Sequence, residues 1–361
     1  VHALVRDEKG QKMSKSKGNV IDPLILIDKY SADALRFTLL SMASPGRDVK
    51  LSEDRVKGYR NFLNKLWNAN NFLAMNKCDF SKSKKEPKVK LNINKWIISE
   101  LNTVSKLIEK NINDYRFDEA ARNIYQFVWH SYCDWYVELS KTILNSKEKS
   151  SISEVKQTLS YVFKQILILL HPFIPFITEE LWLKNKLDKP KNYLMFANWS
   201  SKKANKDKQI KEVENIINLI SQLRAFKNEL NVSPGSFVDM SISTLSKNDQ
   251  LFIKKNQTVL KKLGRINSFL DTDKDKASAN LVIKGDIFKI YFDQSIDLSL
   301  IKENLLKRQQ KYQSELDGIS KRLSNKSFVE RAPKNIVDQE KNNYSNLKKD
   351  IDKISITIKG L

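Results

Sequence analysis

Side chains that could hold phosphate groups are concentrated near the start of the chain. They form the octapeptide Lys12-Met13-Ser14-Lys15-Ser16-Lys17-Gly18-Asn19, which combines ammonium and hydroxyl donors with a flexible glycine. Lysine binds phosphate as a point charge, and a loop of this kind can act as a mobile clamp. Segments rich in Lys and Ser are also common as solvated surface loops, so the residues alone leave that second interpretation open.

The elements around the octapeptide would place it at a ligand-binding edge. Val1–Val5 reads as a buried strand, Asp7–Gly10 as a turn, and Asp22-Pro23 as a helix start with proline at its first position. In α/β sheets, ligands bind at the strand ends, where a loop between a strand and a helix lies. Because Val1 opens directly in a strand pattern, we expect further sequence before it.

The octapeptide resembles the second signature loop of class I aminoacyl-tRNA synthetases, which closes over ATP while the amino-acid carboxylate attacks the α-phosphorus. The resemblance implies that Lys12 and Lys15 are catalytic and hold the phosphates. Negative charge grows on the phosphate oxygens in that transition state, where fixed cations stabilise it most. Mg²⁺ would accompany ATP as substrate, and no metal bound by this part of the protein is expected. The implied ATP-binding residues are Lys12, Met13, Ser14, Lys15, Ser16 and Gly18.

Later segments resemble the valyl-tRNA synthetases in order and spacing. Ser31, in the first of them, stands where that family usually has Gly. An isoleucyl enzyme is the alternative within the class, but those enzymes often carry a Cys-rich zinc tail, and this chain has only Cys78 and Cys133. The matching segments, which extend the resemblance over essentially the whole chain, are Asp28–Phe37, Ala43–Asp48, Tyr59–Asn68, Asp134–Tyr136, His171–Trp182 and Ser327–Pro333.

The composition favours a polyanionic partner. Lys+Arg outnumber Asp+Glu by 64 to 42, which gives a net charge of +22 and points to nucleic acid. Since 52 of the 64 cations are Lys, part of the excess could instead be a compositional bias on solvated faces.

Two cysteines fit a reducing cytosol, and with three scattered histidines they form no four-ligand zinc spacing. No apolar run is long enough to span a membrane, and we expect a cytoplasmic monomer.

Apolar spacing predicts a mainly α fold with four parts. They are the end of a Rossmann-type catalytic domain at 1–48, a helical anticodon-binding bundle at 49–200, a linker helix with a small α/β unit at 201–297, and an antiparallel coiled-coil hairpin at 298–361. The helices are predicted from Leu24 to Leu39 and at Ser52–Asn76, Leu91–Ile112, Phe117–Leu144, Ile152–Leu169, Ile177–Leu187 and Ile210–Leu230. A strand is predicted at Phe237–Ile242, and a hairpin pairs Leu281–Ile283 with Ile287–Phe292 around Lys284-Gly285-Asp286.

Candidate RNA-binding residues follow from the chemistry of unpaired bases, which stack on aromatic rings and Arg. By resemblance, Phe72 is the stacking candidate and Arg55 its charged neighbour, although Phe72 fits the core equally well. The basic hairpin would contact tRNA phosphates through Lys307, Arg308, Lys311, Lys321, Arg322, Lys326 and Arg331, or would form a solvated arm.

Other polar and aromatic residues are expected to have structural roles. Asp134 and Glu179-Glu180 are expected to cap helices or pair with cations. Core positions are expected for Trp129, Trp135, Phe173, Phe176 and Trp182.

The resemblance implies the C-terminal part of an enzyme that activates valine with ATP and transfers it to tRNA(Val). Its partners would be ATP, tRNA(Val) and valine, with the valine pocket and an editing site lying upstream of this sequence. The rival hypothesis is a freestanding tRNA-binding module without ligase activity.

Overall fold

The structure is a computed structural model. It divides into two compact units, Val1–Glu214 and Asn215–Leu361. The residues that it describes are 4–82, 85–187, 193–199, 208–275, 278–283, 285–293, 296–325, 333–359 and 361. Within them, no helix combines the length and the apolar character needed to cross a membrane.

The first unit opens with two short strands that enclose two helices in the sequence. Strand β1 (Val5–Arg6) pairs in parallel with β2 (Val49–Lys50). The predicted strand therefore forms only at its end, and its residues 1–3 lie outside the described part. The prediction that this strand is buried is wrong for Leu4 and Val5, whose side chains are exposed. Helices α1 (Pro23–Tyr30) and α2 (Ala32–Met42) follow the loop. The Asp22 carboxylate caps α1 by accepting from the Leu24 backbone N–H at 2.8 Å, which confirms the predicted start.

The sequence pattern predicted continuous helical spacing from Leu24 to Leu39, but the structure breaks it at Ser31. This residue has φ 87° and ψ 154°, a region that only glycine adopts without strain. Its backbone N–H donates to Ile27 O at 2.8 Å, and its hydroxyl accepts from the Ala34 N–H at 3.4 Å. Ser31 therefore ends α1 and begins α2 at the same time.

A helical bundle forms the rest of the first unit, because apolar residues recur every three to four positions along each helix. Helix α5 continues through a ten-residue π-helix, Phe127–Tyr136, directly into α6. The predicted long helix at Phe117–Leu144 is thus confirmed as continuous, with a widened middle turn. The bundle helices are α3 (Glu53–Met75), α4 (Asn92–Asn113), α5 (Phe117–Gln126), α6 (Val137–Leu144), α7 (Lys149–Leu170) and α8 (Pro175–Lys184).

Aromatic residues fill much of this core. Phe37 of α2 lies 5.4 Å from Phe62 of α3 and 6.0 Å from Phe173, measured between ring centroids. The prediction of core positions is confirmed for Phe173 and Trp182, which are buried. It is wrong for Phe176, whose side chain is 65% exposed, because the second residue of α8 turns away from the bundle.

One buried carboxylate joins the early helices to the bundle. Asp33 of α2 accepts from the backbone N–H groups of Phe176 at 3.3 Å and Ile177 at 2.7 Å. These are orphan donors in the first turn of α8, whose own N-cap, Ile174, supplies no side-chain bond. Burial raises the pKa of Asp33, while the two backbone donors act in the opposite direction. Asp33 is thus the missing cap of a helix that lies far away in sequence.

The second unit contains a four-stranded sheet in the order β4-β3-β6-β5. The predicted hairpin is confirmed as β5 and β6, which pair antiparallel. The sequence did not predict β4, which lies parallel to β3, nor the helix α10 that connects those two strands. The elements are α9 (Lys208–Glu229, which begins in the first unit), β3 (Val238–Ser241), α10 (Lys247–Gly264), β4 (Ile266–Leu270), β5 (Ala279–Ile283) and β6 (Asp286–Phe292).

Two long helices complete the second unit, α11 (Leu298–Ser324) and α12 (Lys334–Ile358). Late residues of α11 contact early residues of α12, as in the ion pair of Arg322 with Glu340 at 3.0 Å. Earlier in α11, the Gln309 side chain donates to Ser355 Oγ at 2.7 Å. The two helices therefore run in opposite directions. Their buried apolar residues include Leu305, Leu316, Ile319, Val337 and Ile354.

Candidate functional site

The predicted phosphate loop is shaped by one asparagine. Asn19 Oδ1 accepts from the Ser14 backbone N–H at 2.9 Å, and Asn19 Nδ2 donates to Asp7 Oδ2 at 2.8 Å and to Lys12 O at 3.2 Å. The hydrogen bond from Asn19 lowers the pKa of Asp7, which keeps this acceptor ionised. Asn19 therefore closes the octapeptide into a ring that is anchored to the turn after β1.

The chain inside this ring presents its charges to solvent. Lys15–Lys17 forms one turn of 3₁₀ helix that ends at Gly18, a residue in the left-handed region with φ 65°. Ser14 Oγ and Ser16 Oγ lie 3.2 Å apart. The side chains of Lys12, Lys15 and Lys17 are exposed, and within the described residues none of them forms an ion pair. Three uncompensated ammonium groups on one short loop attract a polyphosphate.

The strand pair positions the loop. An isolated bridge joins Arg6 to Lys12, and the Arg6 guanidinium pairs with Asp48 beside β2. The Asp7–Gly10 turn is confirmed by the hydrogen bond from the Gly10 N–H to Asp7 O at 2.9 Å. Sequence reasoning placed Asp7 in a turn, Asn19 in the octapeptide and Asp48 in a matching segment, but it gave none of them a hydrogen-bonding role. Only the turn-forming residue types at the two ends of the loop could have indicated the first two.

The aromatic candidate on α3 lies at the surface of the bundle. Phe72 is half-buried, and Lys141 Nζ lies 5.7 Å from its ring centroid. Arg55, seventeen positions earlier on the same helix, is exposed. The structure does not bring these two residues together, since four to five turns of α3 separate them. Both stay predictions.

A cluster of aromatic, basic and acidic side chains lies between another part of α3 and the π-helix Phe127–Tyr136. Lys65 Nζ lies 3.9 Å from the Trp129 ring centroid and 2.5 Å from Asp134 Oδ1, while His130 Nδ1 lies 3.2 Å from Asp134 Oδ2. Trp129 and Trp135 are half-buried rather than fully in the core. The expected pairing of Asp134 with cations is confirmed.

The two neighbouring glutamates of α8, Glu179 and Glu180, have different surroundings. Glu179 accepts from the Leu194 backbone N–H at 3.1 Å, at the start of a 3₁₀ helix over Leu194–Phe196, so its predicted capping role is confirmed. The neighbouring Glu180 is exposed and, among the described residues, has no hydrogen bond or ion pair, so the same prediction is wrong there. The difference follows from helix geometry, because consecutive residues point about 100° apart.

The predicted phosphate contacts on α11 differ in their surroundings. Lys307 pairs with Glu303 at 2.6 Å, Lys311 lies 4.0 Å from Glu315, and Lys321 is exposed. Arg308 is half-buried, and its Nε donates to the Tyr312 hydroxyl at 3.1 Å. Arg322 already pairs with Glu340. The remaining two candidates, Lys326 and Arg331, lie outside the described residues.

Three protein families match successive parts of the chain. Residues 1–52 match the class I tRNA synthetases (I, L, M and V), residues 94–242 match the anticodon-binding domain of tRNA ligase, and residues 297–361 match the valyl tRNA synthetase tRNA binding arm.

Curated relatives match over the full chain. The valine–tRNA ligase of Pelagibacter ubique is 67% identical over 100% of this chain and 41% of that protein. The valine–tRNA ligase of Bartonella quintana is 39% identical over 100% of this chain and 40% of that protein. The chain thus spans about two fifths of the length of these relatives. Among solved structures, the Agrobacterium radiobacter K84 agnB2 LeuRS in a ternary complex with tRNA and LeuAMS overlaps with 80% of this chain and 32% of its own, at a TM-score of 0.44 and 16% identity.

Proposed function

Because the chain belongs to the valine–tRNA ligase family, we propose that it supplies the ATP loop and the RNA-binding elements of an enzyme that joins valine to tRNA(Val). The valine carboxylate attacks the α-phosphorus of ATP, pyrophosphate leaves, and valyl-adenylate forms. The terminal adenosine of tRNA(Val) then attacks the valyl carbonyl, and AMP leaves. We assign no residue of this chain to the valine pocket or to editing.

The observation that carries this proposal is the set of unpaired ammonium groups on the Asn19-closed loop. Lys12 and Lys15 would contact the phosphates of ATP, with Met13, Ser14, Ser16 and Gly18 shaping the loop around them. Mg²⁺ bound to ATP would neutralise further phosphate charge. Because charge develops on these oxygens as pyrophosphate leaves, fixed cations lower the barrier more than they strengthen ground-state binding.

The rest of the chain would hold RNA. We propose that 1–48 ends a Rossmann-type catalytic domain, that 49–200 forms the anticodon-binding bundle, that 201–297 connects it to 298–361, and that α11 and α12 form a coiled-coil hairpin against tRNA phosphates. The opposite direction of the two helices and their buried Leu and Ile residues support the hairpin. We place the enzyme in the cytoplasm as a monomer.

The phosphate role is tested with Lys15→Ala in an enzyme reconstituted by joining this chain to the N-terminal part of a valine–tRNA ligase. We expect valine-dependent ATP–pyrophosphate exchange to fall by about 10²–10³-fold, because one stabilising contact is lost in the transition state. Affinity for tRNA(Val) should stay within about twofold. Lys9→Ala, which removes a neighbouring lysine outside the octapeptide, is the matched control. Unchanged exchange in Lys15→Ala would exclude the phosphate role.

The same assay separates the proposal from a tRNA-binding module without activity. The reconstituted enzyme should exchange with valine, and exchange with no amino acid would leave RNA binding as the function of this chain. Because the joined N-terminal part supplies the amino-acid pocket, the isoleucyl alternative is tested by RNA binding instead: tighter binding of this chain to tRNA(Ile) than to tRNA(Val) would assign it to another class I enzyme.

A further inference from the structure

A pocket of about 470 Å³ lies in the first unit between α3 and α8. It is lined by no residue of the phosphate loop and by none of the predicted RNA-binding residues. Arg60, Asn64 and Trp67 line it from α3, and Phe176 and Glu180 line it from α8. On each helix these residues are three or four positions apart, so each set occupies a single helix face. Buried Leu63 also lines this pocket, which we call the α3–α8 pocket.

Two aromatic side chains make the pocket suitable for a flat ligand. Phe176 is 65% exposed at its edge, although the sequence pattern placed it in the core. Trp67 is half-buried, and Lys184 Nζ lies 4.3 Å from its ring centroid. An exposed aromatic ring loses its hydration cheaply when a planar group stacks on it, as nucleic-acid bases do on such rings.

The polar groups of the pocket select the kind of ligand. In the described part of the chain, the Arg60 guanidinium and the Glu180 carboxylate have no hydrogen bond or ion pair. The Asp33 carboxylate also lines the pocket but is engaged by the Phe176 and Ile177 N–H groups. Two carboxylates disfavour a phosphate inside the pocket. They favour a neutral group with N–H donors, since a carboxylate only accepts hydrogen bonds.

We propose that the α3–α8 pocket binds one unstacked guanine base of the RNA, an inference that rests on the proposed function. Guanine carries two adjacent N–H donors on its Watson–Crick edge, at N1 and at the exocyclic N2, which match the two oxygens of Glu180. Uracil has a single N–H between two carbonyls, and adenine and cytosine place an acceptor nitrogen beside the amino group. Phe176 stacks on the base, Asn64 offers a further polar contact, and Arg60 at the rim meets the adjoining phosphate.

The stacking contact is tested by the affinity of the full chain for a tRNA(Val) transcript. Phe176→Ala should weaken binding about tenfold, while the slope of log K against log salt stays unchanged because no ionic contact is lost. Phe196→Ala is the matched control, since Phe196 is 68% exposed on the same unit and does not line the pocket. Circular dichroism of both variants checks that the fold is kept. Equal affinities of Phe176→Ala and wild type would overturn the inference.

The choice of guanine is tested with an RNA heptamer that carries a single guanine and with the same heptamer carrying inosine, which lacks the N2 amino group. The wild-type chain should prefer the guanine heptamer by about tenfold, the low end of the range for a hydrogen bond to a charged group. Glu180→Gln should lose this preference, and Glu148→Gln, at an exposed acid before α7, should keep it. An equal preference in Glu180→Gln and wild type would overturn the assignment. Failure of the wild-type chain to bind the transcript would instead overturn the proposed RNA function.

Discussion

At the residue scale, Ser31 shows how a single departure from the family pattern has a physical cost. In the valyl-tRNA synthetases that the chain resembles, this position is usually Gly. The backbone angles of Ser31, φ 87° and ψ 154°, explain that preference, because only glycine adopts them without strain. A non-glycine residue in this region costs on the order of 1–3 kcal/mol. The serine hydroxyl offsets part of that cost, because it caps α2 by accepting a hydrogen bond from the Ala34 N–H.

We therefore expect Ser31→Gly to stabilise the first unit by about 1 kcal/mol, because relief of strain exceeds the loss of a cap, and Gly itself is an acceptable N-cap. Ser31→Ala keeps the strain and loses the cap, so it should destabilise by about 1 kcal/mol. Urea unfolding followed by tryptophan fluorescence measures both changes, since all six Trp lie between Trp67 and Trp199 in the first unit. A Ser31→Gly variant less stable than wild type would contradict the strain.

At the element scale, Lys227 links three parts of the second unit. Its ammonium group, on α9, donates to Ser236 O at 2.8 Å before β3, to Gly264 O at 3.2 Å at the end of α10, and to Arg265 O at 3.5 Å just before β4. The side chain is only 1% exposed. Burial, followed by the nearby Arg224 and Arg265, lowers the pKa of Lys227 to about 8.

This shift predicts a stability that changes at alkaline pH. Between a pKa of about 8 in the folded chain and 10.5 in the unfolded chain, the unfolded state binds more protons. The contribution of Lys227 to the free energy of unfolding should therefore rise with pH in this window, by about 1–2 kcal/mol from pH 8 to about pH 9.5. Well below pH 8, where Lys227 is protonated in both states, this contribution should be constant.

Other groups titrate in the same range, so the measurement is a difference between variants. Lys227→Met should be less stable than wild type at every pH, because three carbonyls lose their donor, and the gap should widen as pH rises through the window. Lys262→Met, at an exposed lysine of α10, is the control. Urea titrations followed by circular dichroism at several pH values give the gap, and a constant gap would argue against the lowered pKa.

The helices were the elements most accessible from the sequence, and the exceptions have identifiable causes. The apolar spacing of α3, α4 and α7 follows the helical period over many turns, so their bounds were predicted to within three residues. Helix α10 does carry buried apolar residues at helical spacing, Ile253, Leu260 and Leu263, but five lysines lie among them and the segment was not recognised. Strand β4 pairs in parallel with β3, which lies 28 residues earlier, so no local pattern indicates that pairing. The α3–α8 pocket was missed for a related reason, since it combines residues more than 100 positions apart.

At the scale of the whole molecule, the excess of positive charge bears on the proposed binding of RNA. Residues 298–361 contain 14 Lys and Arg against 8 Asp and Glu, a net charge of +6 within the +22 of the chain. Removing this segment would be a poor test, because α12 also packs on the sheet. Asn280 of β5 donates to Ile356 O at 3.1 Å and accepts, through its backbone O, from Thr357 at 3.1 Å.

A charge replacement keeps that contact and removes only the phosphate interactions. The triple variant Lys307→Gln, Lys311→Gln and Lys321→Gln should bind a tRNA(Val) transcript more weakly at low salt. The slope of log K against log salt should flatten by about 2–3 units, since each lost phosphate contact accounts for about 0.9. The same replacement at Lys247, Lys254 and Lys262 of α10 is the control. A slope equal to that of wild type would remove α11 from RNA binding.

The cap that Asp33 gives to α8 has a consequence for the order in which the polypeptide matures on the ribosome. Its partner Ile177 is translated 144 residues later, which at roughly 5–20 residues per second takes roughly 7–30 s. During that interval the carboxylate lacks the Phe176 and Ile177 N–H groups that it accepts from in the folded chain. Helices α1 and α2 are therefore synthesised well before the contact that joins them to the bundle, and their final docking has to await synthesis of α8.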